Sequence, residues 1–169
     1  MKKLYSGNIF ADHSQFYLLE GSFEVSDSLY DWNLENGKLG YINNYEGIAI
    51  LTLGDSWVYW IEAFLSQIPP TLEDCERALV FNINTSSGGI KLRSPAFEVA
   101  HLSVSPGQYA IYILCYNLGK DSEEELSDEE LERRTDLERY KIVLVPGKTT
   151  NEGVIKGSKY LPDCVFDEE

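Results

Sequence analysis

The chain has 169 residues with 43% hydrophobic and 12% aromatic content, enough for one ordinary domain with a packed core rather than a disordered chain. Its formal net charge is −14, which sets it against direct binding to DNA, RNA or an anionic membrane, since each phosphate would meet like charge. The acid is uneven: residues 1–77 hold 12 acids against 4 bases, residues 78–120 hold 1 against 3, and residues 121–169 hold 15 against 7, so the middle of the chain reads as core.

In chain order, "YSGNIFA" (5–11) and "SQFYLLEG" (14–21) read as short strands rich in aromatic and aliphatic residues. "GIAILTL" (47–53) and "SWVYWIEAFL" (56–65) flank Gly54-Asp55, a hairpin signal. "ALVFNIN" (78–84) and "GIKLRS" (89–94) flank "TSSG", a second one. "AFEVAHLSV" (96–104) leads through Ser105-Pro106-Gly107 into "QYAIYILCYNL" (108–118), a third. Both faces of that last strand are apolar, which places it in the middle of a sheet. "RYKIVLVPG" (139–147) is a further strand, and 108–118 and 139–145 are expected to be neighbours. About 8–9 strands at such spacing predict a mostly β fold, a single-domain antiparallel β-sandwich over 1–169. An acidic insertion at 120–138 and a C-terminal extension at 147–169, with a short strand in its tail, complete this reading.

Helical signals are few. "PPTLEDCERAL" (69–79) offers one turn or a short helix. The run "KDSEEELSDEELERRTDLERYK" (120–141) offers a better one: Ser127 with Glu130 reads as a capping box, and Glu129–Arg133 and Glu130–Arg134 have i,i+4 spacing. Eight of the twelve residues Asp121–Glu132 are acidic. Such a run is either a solvated connection or a mimic of nucleic-acid charge. Leu126, Leu131 and Leu137 make no continuous stripe, so little burial is expected from it.

Chemistry-bearing constellations are sparse. His13 and His101 are the only histidines, and the adjacency of Asp12, His13 and Ser14 cannot form a triad, because neighbouring residues point in different directions. Cys75, Cys115 and Cys164 show neither disulfide nor zinc-ligand spacing, which fits a reducing cytoplasm; no metal or cofactor is expected. "DWNLENG" (31–37) alternates oxygen donors as in a calcium loop, but its Gly is one position late and Ile42 stands where a bidentate Glu is needed, so it reads as a polar turn or short helix end. Trp57, Tyr59 and Trp60 share one strand segment and define an alternative ligand face for carbohydrate; core packing competes with that reading.

Several segments resemble the competence protein J family: "DHSQFYLL" (12–19), "EGIAILTLGDSWVYWIEAF" (46–64), "RALVFNINTSSGGIKLRSPAFEV" (77–99), "LSVSPGQYAIYILCYNLG" (102–119) and "ERYKIVLV" (138–145). The "PGQY" leading into an apolar strand and the "SQF" near the N-terminus carry most of that resemblance. It implies a small cytoplasmic β-protein that inhibits a nuclease of DNA uptake by protein binding, with no catalytic residues to carry over. The long acidic connection and the segment after Pro146 depart from the family pattern. Together the charge and the resemblance lead to a non-enzymatic protein that binds a basic partner, a nuclease or toxin, with no direct contact to nucleic acid or membrane. The candidate contacts are Asp27, Asp31 and Glu35, and, in the acidic run, Glu123, Glu124, Glu125, Asp128, Glu129 and Glu130.

Overall fold

Apolar alternation in the strand segments resolves into two stacked sheets. The computed structural model describes residues 1–54, 58–86 and 89–161. Among them the chain forms eleven strands and two short α-helices: β1 (Lys2–Phe10), β2 (Gln15–Glu20), α1 (Leu34–Leu39), β3 (Tyr41–Asn43), β4 (Gly47–Leu51), β5 (Val58–Leu65), β6 (Arg77–Thr85), β7 (Ile90–Arg93), β8 (Glu98–Leu102), β9 (Gly107–Tyr116), α2 (Asp128–Arg133), β10 (Arg139–Pro146) and β11 (Gly153–Lys156). One sheet has the order β1-β5-β10-β9-β6-β11 and the other β3-β4-β2-β7-β8. The mostly β, sandwich-like expectation holds. The short strand expected in the C-terminal extension is β11, which pairs with β6, and among the described residues only the three-residue β3 was not foreseen.

All three hairpin expectations are corrected. β4 and β5, β6 and β7, and β8 and β9 lie in different sheets, so each turn is a corner between layers. The physical reason is edge occupancy, since a strand has only two hydrogen-bonding edges. Those of β5 are taken by β1 and β10, those of β9 by β10 and β6, and those of β6 by β9 and β11. β7 instead pairs with β2, from Tyr17–Arg93 to Glu20–Ile90. The purely antiparallel expectation is corrected as well: β5 and β10 run parallel, Arg139 opposite Trp60 and Leu144 opposite Leu65. The chain must cross over to achieve that, and the acidic run between β9 and β10 is part of the crossover. β9 and β10 are neighbours, as expected, and run antiparallel, and β9 lies inside its sheet, as its two apolar faces anticipated.

The core lies between the sheets. Tyr109, Ile111, Ile113 and Cys115 of β9 meet Phe16, Leu18, Ile48 and Ile50 of the opposite sheet. Tyr140 makes edge-to-face contacts with Phe16 at 5.1 Å and Tyr59 at 6.1 Å, the geometry ring quadrupoles prefer. Outside the second sheet, Tyr17, Leu19 and Ala49 are capped by Leu29, from a 3₁₀ turn at Asp27–Leu29.

Local signals set both helices. Asn33 caps α1 and exchanges bonds with Asn36 in a capping box, and Gly40 ends the helix at φ 80°, a left-handed conformation that costs glycine little. This confirms "DWNLENG" as a turn running into a helix. Ser127 and Glu130 form the expected box at α2: Ser127 Oγ accepts from the Glu130 N–H at 3.3 Å, and Glu130 Oε2 accepts from the Ser127 N–H at 3.0 Å. Replacing Ser127 with alanine is expected to cost about 1 kcal/mol in thermal unfolding. The foreseen Glu–Arg pairs are rearranged. Arg133 donates to the Glu129 carbonyl, and Arg134, already beyond the helix, pairs with Asp136 through two bonds of 2.8 and 2.9 Å. Neither the turn nor the short helix anticipated at 69–79 forms: Glu73, Asp74 and Glu76 are bends and residues 77–79 belong to β6, while Cys75 Sγ donates to the Leu72 carbonyl. Pro69 and Pro70, without N–H donors, open the segment.

Candidate functional site

The nine candidate carboxylates fall into two groups, both exposed. Asp27 lies in the 3₁₀ turn, Glu35 in α1 and Asp31 in the link between them; the turn packs beside β4 and α1 beside β3, outside the second sheet. Glu123, Glu124, Glu125, Asp128, Glu129 and Glu130 belong to the crossover, where α2 packs on the outer side of β1 and β5 in the first sheet. The sandwich therefore separates the two groups onto opposite outer layers and does not assemble them into one surface.

The first group is fixed by neighbours the sequence did not single out. Ser26 and Ser28 donate to Glu46, Ser28 at 3.1 Å, and Asn44 Oδ1 accepts from the Glu46 N–H at 2.9 Å. The serine hydroxyls, Ser26 first, hold the Glu46 carboxyl below its ordinary range. Leu29 is fully buried beneath Asp27. Asn33 spends its side-chain oxygen on the Asn36 N–H, which removes it from the calcium-like alternation.

The second group is more than a solvated excursion. Leu131 and Leu137 are each only 8% exposed, so the insertion buries apolar surface that its irregular leucine spacing concealed. Asn8 of β1 donates to Asp128 at 2.6 Å, fastening the start of α2 to the sheet. Between α2, β1 and β5 the crossover encloses a cavity of about 360 Å³. Its floor is Phe10, Val58, Leu126, Leu131 and Leu137. Five acids and one base line it, with Glu124, Glu125 and Asp128 exposed at the rim.

At the base of that cavity sits Glu138, 3% exposed. Its carboxylate accepts backbone N–H bonds from Leu53 at 3.1 Å, Gly54 at 3.1 Å and Gly119 at 2.9 Å. One side chain thereby joins the β4–β5 corner to the end of β9, while its own N–H donates to the Lys120 carbonyl at 2.9 Å. Burial pushes the Glu138 carboxyl above its ordinary range; the three N–H donors pull the other way and nearby Asp121 adds to the rise. Sequence reasoning passed over Glu138 and Asn8, and its expectation of little burial for the run's leucines is corrected by Leu131 and Leu137. A lone Glu before a strand carries no signal for partners 85 residues away.

The carbohydrate alternative loses the two of its rings that the structure describes. Tyr59 is 1% exposed and Trp60 6%, and Trp57 lies outside the described residues. His13 occupies a 3₁₀ turn at φ 56°, and His101 stands on the outer strand β8, 3.9 Å from Glu98. Among the described residues no three His, Cys, Asp or Glu side chains gather as a metal site, and no helix is long and apolar enough to cross a membrane.

A two-sheet β-sandwich with exposed carboxylates on both outer layers and an acidic crossover closing one of them defines the class of this protein. The chain belongs to the competence protein J family, whose model matches residues 8–143. The match includes the acidic crossover and stops before β11. A solved structure described as ComJ, inhibitor of the DNA degrading activity of NucA, from Bacillus subtilis, shares the fold with a TM-score of 0.63 at 17% identity, covering 86% of this chain and 98% of that one. A structure described as crocagin biosynthetic gene J gives a TM-score of 0.55 at 15% identity, covering 88% and 100%. No curated protein sequence matches the chain.

Proposed function

We propose that this protein binds a nuclease with a basic surface and blocks it, without catalysis of its own. The observation that carries this reading is membership of the competence protein J family over residues 8–143, joined to the fold it shares with a protein described as an inhibitor of DNA degradation by NucA. Charge supports it. At −14, the chain is repelled by nucleic acid and attracted to the cationic groove with which a nuclease holds phosphates. Exposed carboxylates can occupy such a groove in place of phosphates, so inhibition needs no chemical step. The unbridged Cys75 and Cys115 suit a reducing cytoplasm.

The test pairs the purified protein with a competence-type nuclease from the same genome. Plasmid degradation is expected to stop at about equimolar inhibitor, with binding that weakens as salt rises. Undiminished degradation at large molar excess, with no binding at low salt, overturns the reading.

A further inference from the structure

The acidic crossover does two things at once: it builds an apolar recess and it rings that recess with carboxylates. We infer that the cavity between α2, β1 and β5 receives a lysine- or arginine-bearing loop of the partner protein, its aliphatic stem lying on the apolar floor and its cationic head meeting the rim. This deepens, and rests on, the reading of the protein as a nuclease-binding inhibitor.

The shape and chemistry of the cavity select that occupant. Phe10, part of the apolar floor, is still 36% exposed. Leu131 and Leu137 continue the apolar surface inward, and Leu126 and Val58 flank them at intermediate exposure. An apolar ligand alone would strip water from Glu124, Glu125 and Asp128 without replacing it. A phosphate or acidic peptide would be repelled by five acids facing Lys120 alone. A long cationic side chain satisfies both halves, because Lys and Arg lay their methylenes along apolar surface while the charge stays at the edge. A nuclease must carry such side chains wherever it grips phosphates.

The recess is also held in place rather than improvised. Asp128 is tied to Asn8, and the base of the cavity is pinned by the three N–H bonds to Glu138. A preformed recess avoids the ordering cost that a free acidic run would incur on binding. The opposite group, Asp27, Asp31 and Glu35, is near none of these apolar residues and serves as the control.

The experiment compares four proteins as inhibitors of the same nuclease: the native chain, Leu126→Trp, Glu124→Gln/Glu125→Gln, and Asp27→Asn/Asp31→Asn/Glu35→Gln. Circular dichroism melts establish folding, and the double glutamine variant changes only exposed side chains. Leu126→Trp fills the recess and is expected to weaken inhibition roughly tenfold or more, the scale of losing a central interface contact. Glu124→Gln/Glu125→Gln is expected to slow association roughly tenfold at low salt and to flatten its salt dependence. The triple variant is expected to stay within about twofold of the native protein, as for charges outside an interface. If the native chain inhibits and folded cavity variants inhibit equally well, or the triple variant alone loses inhibition, the cavity assignment falls while the proposed function stands. If the native chain does not inhibit, the functional reading falls and takes the cavity assignment with it. A native dimer that Leu126→Trp converts to monomer would mean that a second copy fills the recess, and would overturn the assignment.

Discussion

Replacing Glu138 with alanine is expected to lower the free energy of unfolding by about 3 kcal/mol, read from the urea midpoint near neutral pH. The loss comes from what remains. The N–H groups of Leu53, Gly54 and Gly119 lose their acceptor, Gly54 at a buried bond and the other two at part-buried ones. An orphaned buried donor costs about 1–3 kcal/mol, and the part-buried pair adds less because water reaches them. The pH dependence has a definite sign. Because burial raises the Glu138 carboxyl above its usual 4.5, its contribution is fully present below that value and is lost as pH rises through the raised one. Glu138→Gln has no such titration, so the native protein should lose stability relative to Glu138→Gln on going from pH 4 to neutrality, about 1.4 kcal/mol for each pKa unit of the rise. A stability difference that stays flat over this range would contradict that account.

The second large effect is expected at Gly47. A Cβ built there would stand 2.3 Å from the Leu18 carbonyl oxygen and 2.7 Å from Leu19 Cδ2. The carbonyl belongs to the β2–β4 ladder, in which Leu19 faces Gly47, so it cannot retreat without giving up strand pairing. Gly47→Ala should therefore cost about 2–3 kcal/mol, as overpacking of a fixed backbone does. For a chain of this size that corresponds to a fall in Tm of about 5–10 °C. Hydrogen exchange locates the damage. Amides of β2 and β4 should lose protection first, with β9 and β10 least affected.

What could be read from the residues divides by range. The capping boxes at Asn33 and Ser127 are three-residue affairs; the second was legible, and the first was seen as a helix end. The centrality of 108–118 was legible because Tyr109, Ile111, Ile113 and Cys115 face one way while Ala110, Tyr112 and Leu114 face the other, both apolar. Turn chemistry misled in one consistent way. Gly54-Asp55, "TSSG" and Ser105-Pro106-Gly107 announce a reversal but carry no information about which sheet receives the next strand. That depends on which strands, elsewhere in the chain, occupy the edges in the finished sheets. The leucines of the crossover were judged to bury little because no stripe joins them: α2 carries only Leu131, while Leu126 and Leu137 line the same cavity from irregular backbone on either side. The candidate carboxylates are all exposed, yet their division between two outer layers follows from sheet order alone.

The parallel pairing of β5 with β10 has a consequence for how the chain acquires its shape during synthesis. β10 fills the gap between β5 and β9, and its first residue, Arg139, is paired with Trp60, far upstream. Until residues 139–146 have been made, β5 and β9 each present an unsatisfied edge of apolar strand, the kind of surface that recruits other chains. The larger sheet can close only late, by insertion of its third strand into a waiting slot. Contacts so distant along the chain also slow folding, because the loop entropy must be met before the pairing rewards it. A ribosome-bound chain stalled after β9 should thus remain open and prone to aggregation, however well its first sheet segments have formed.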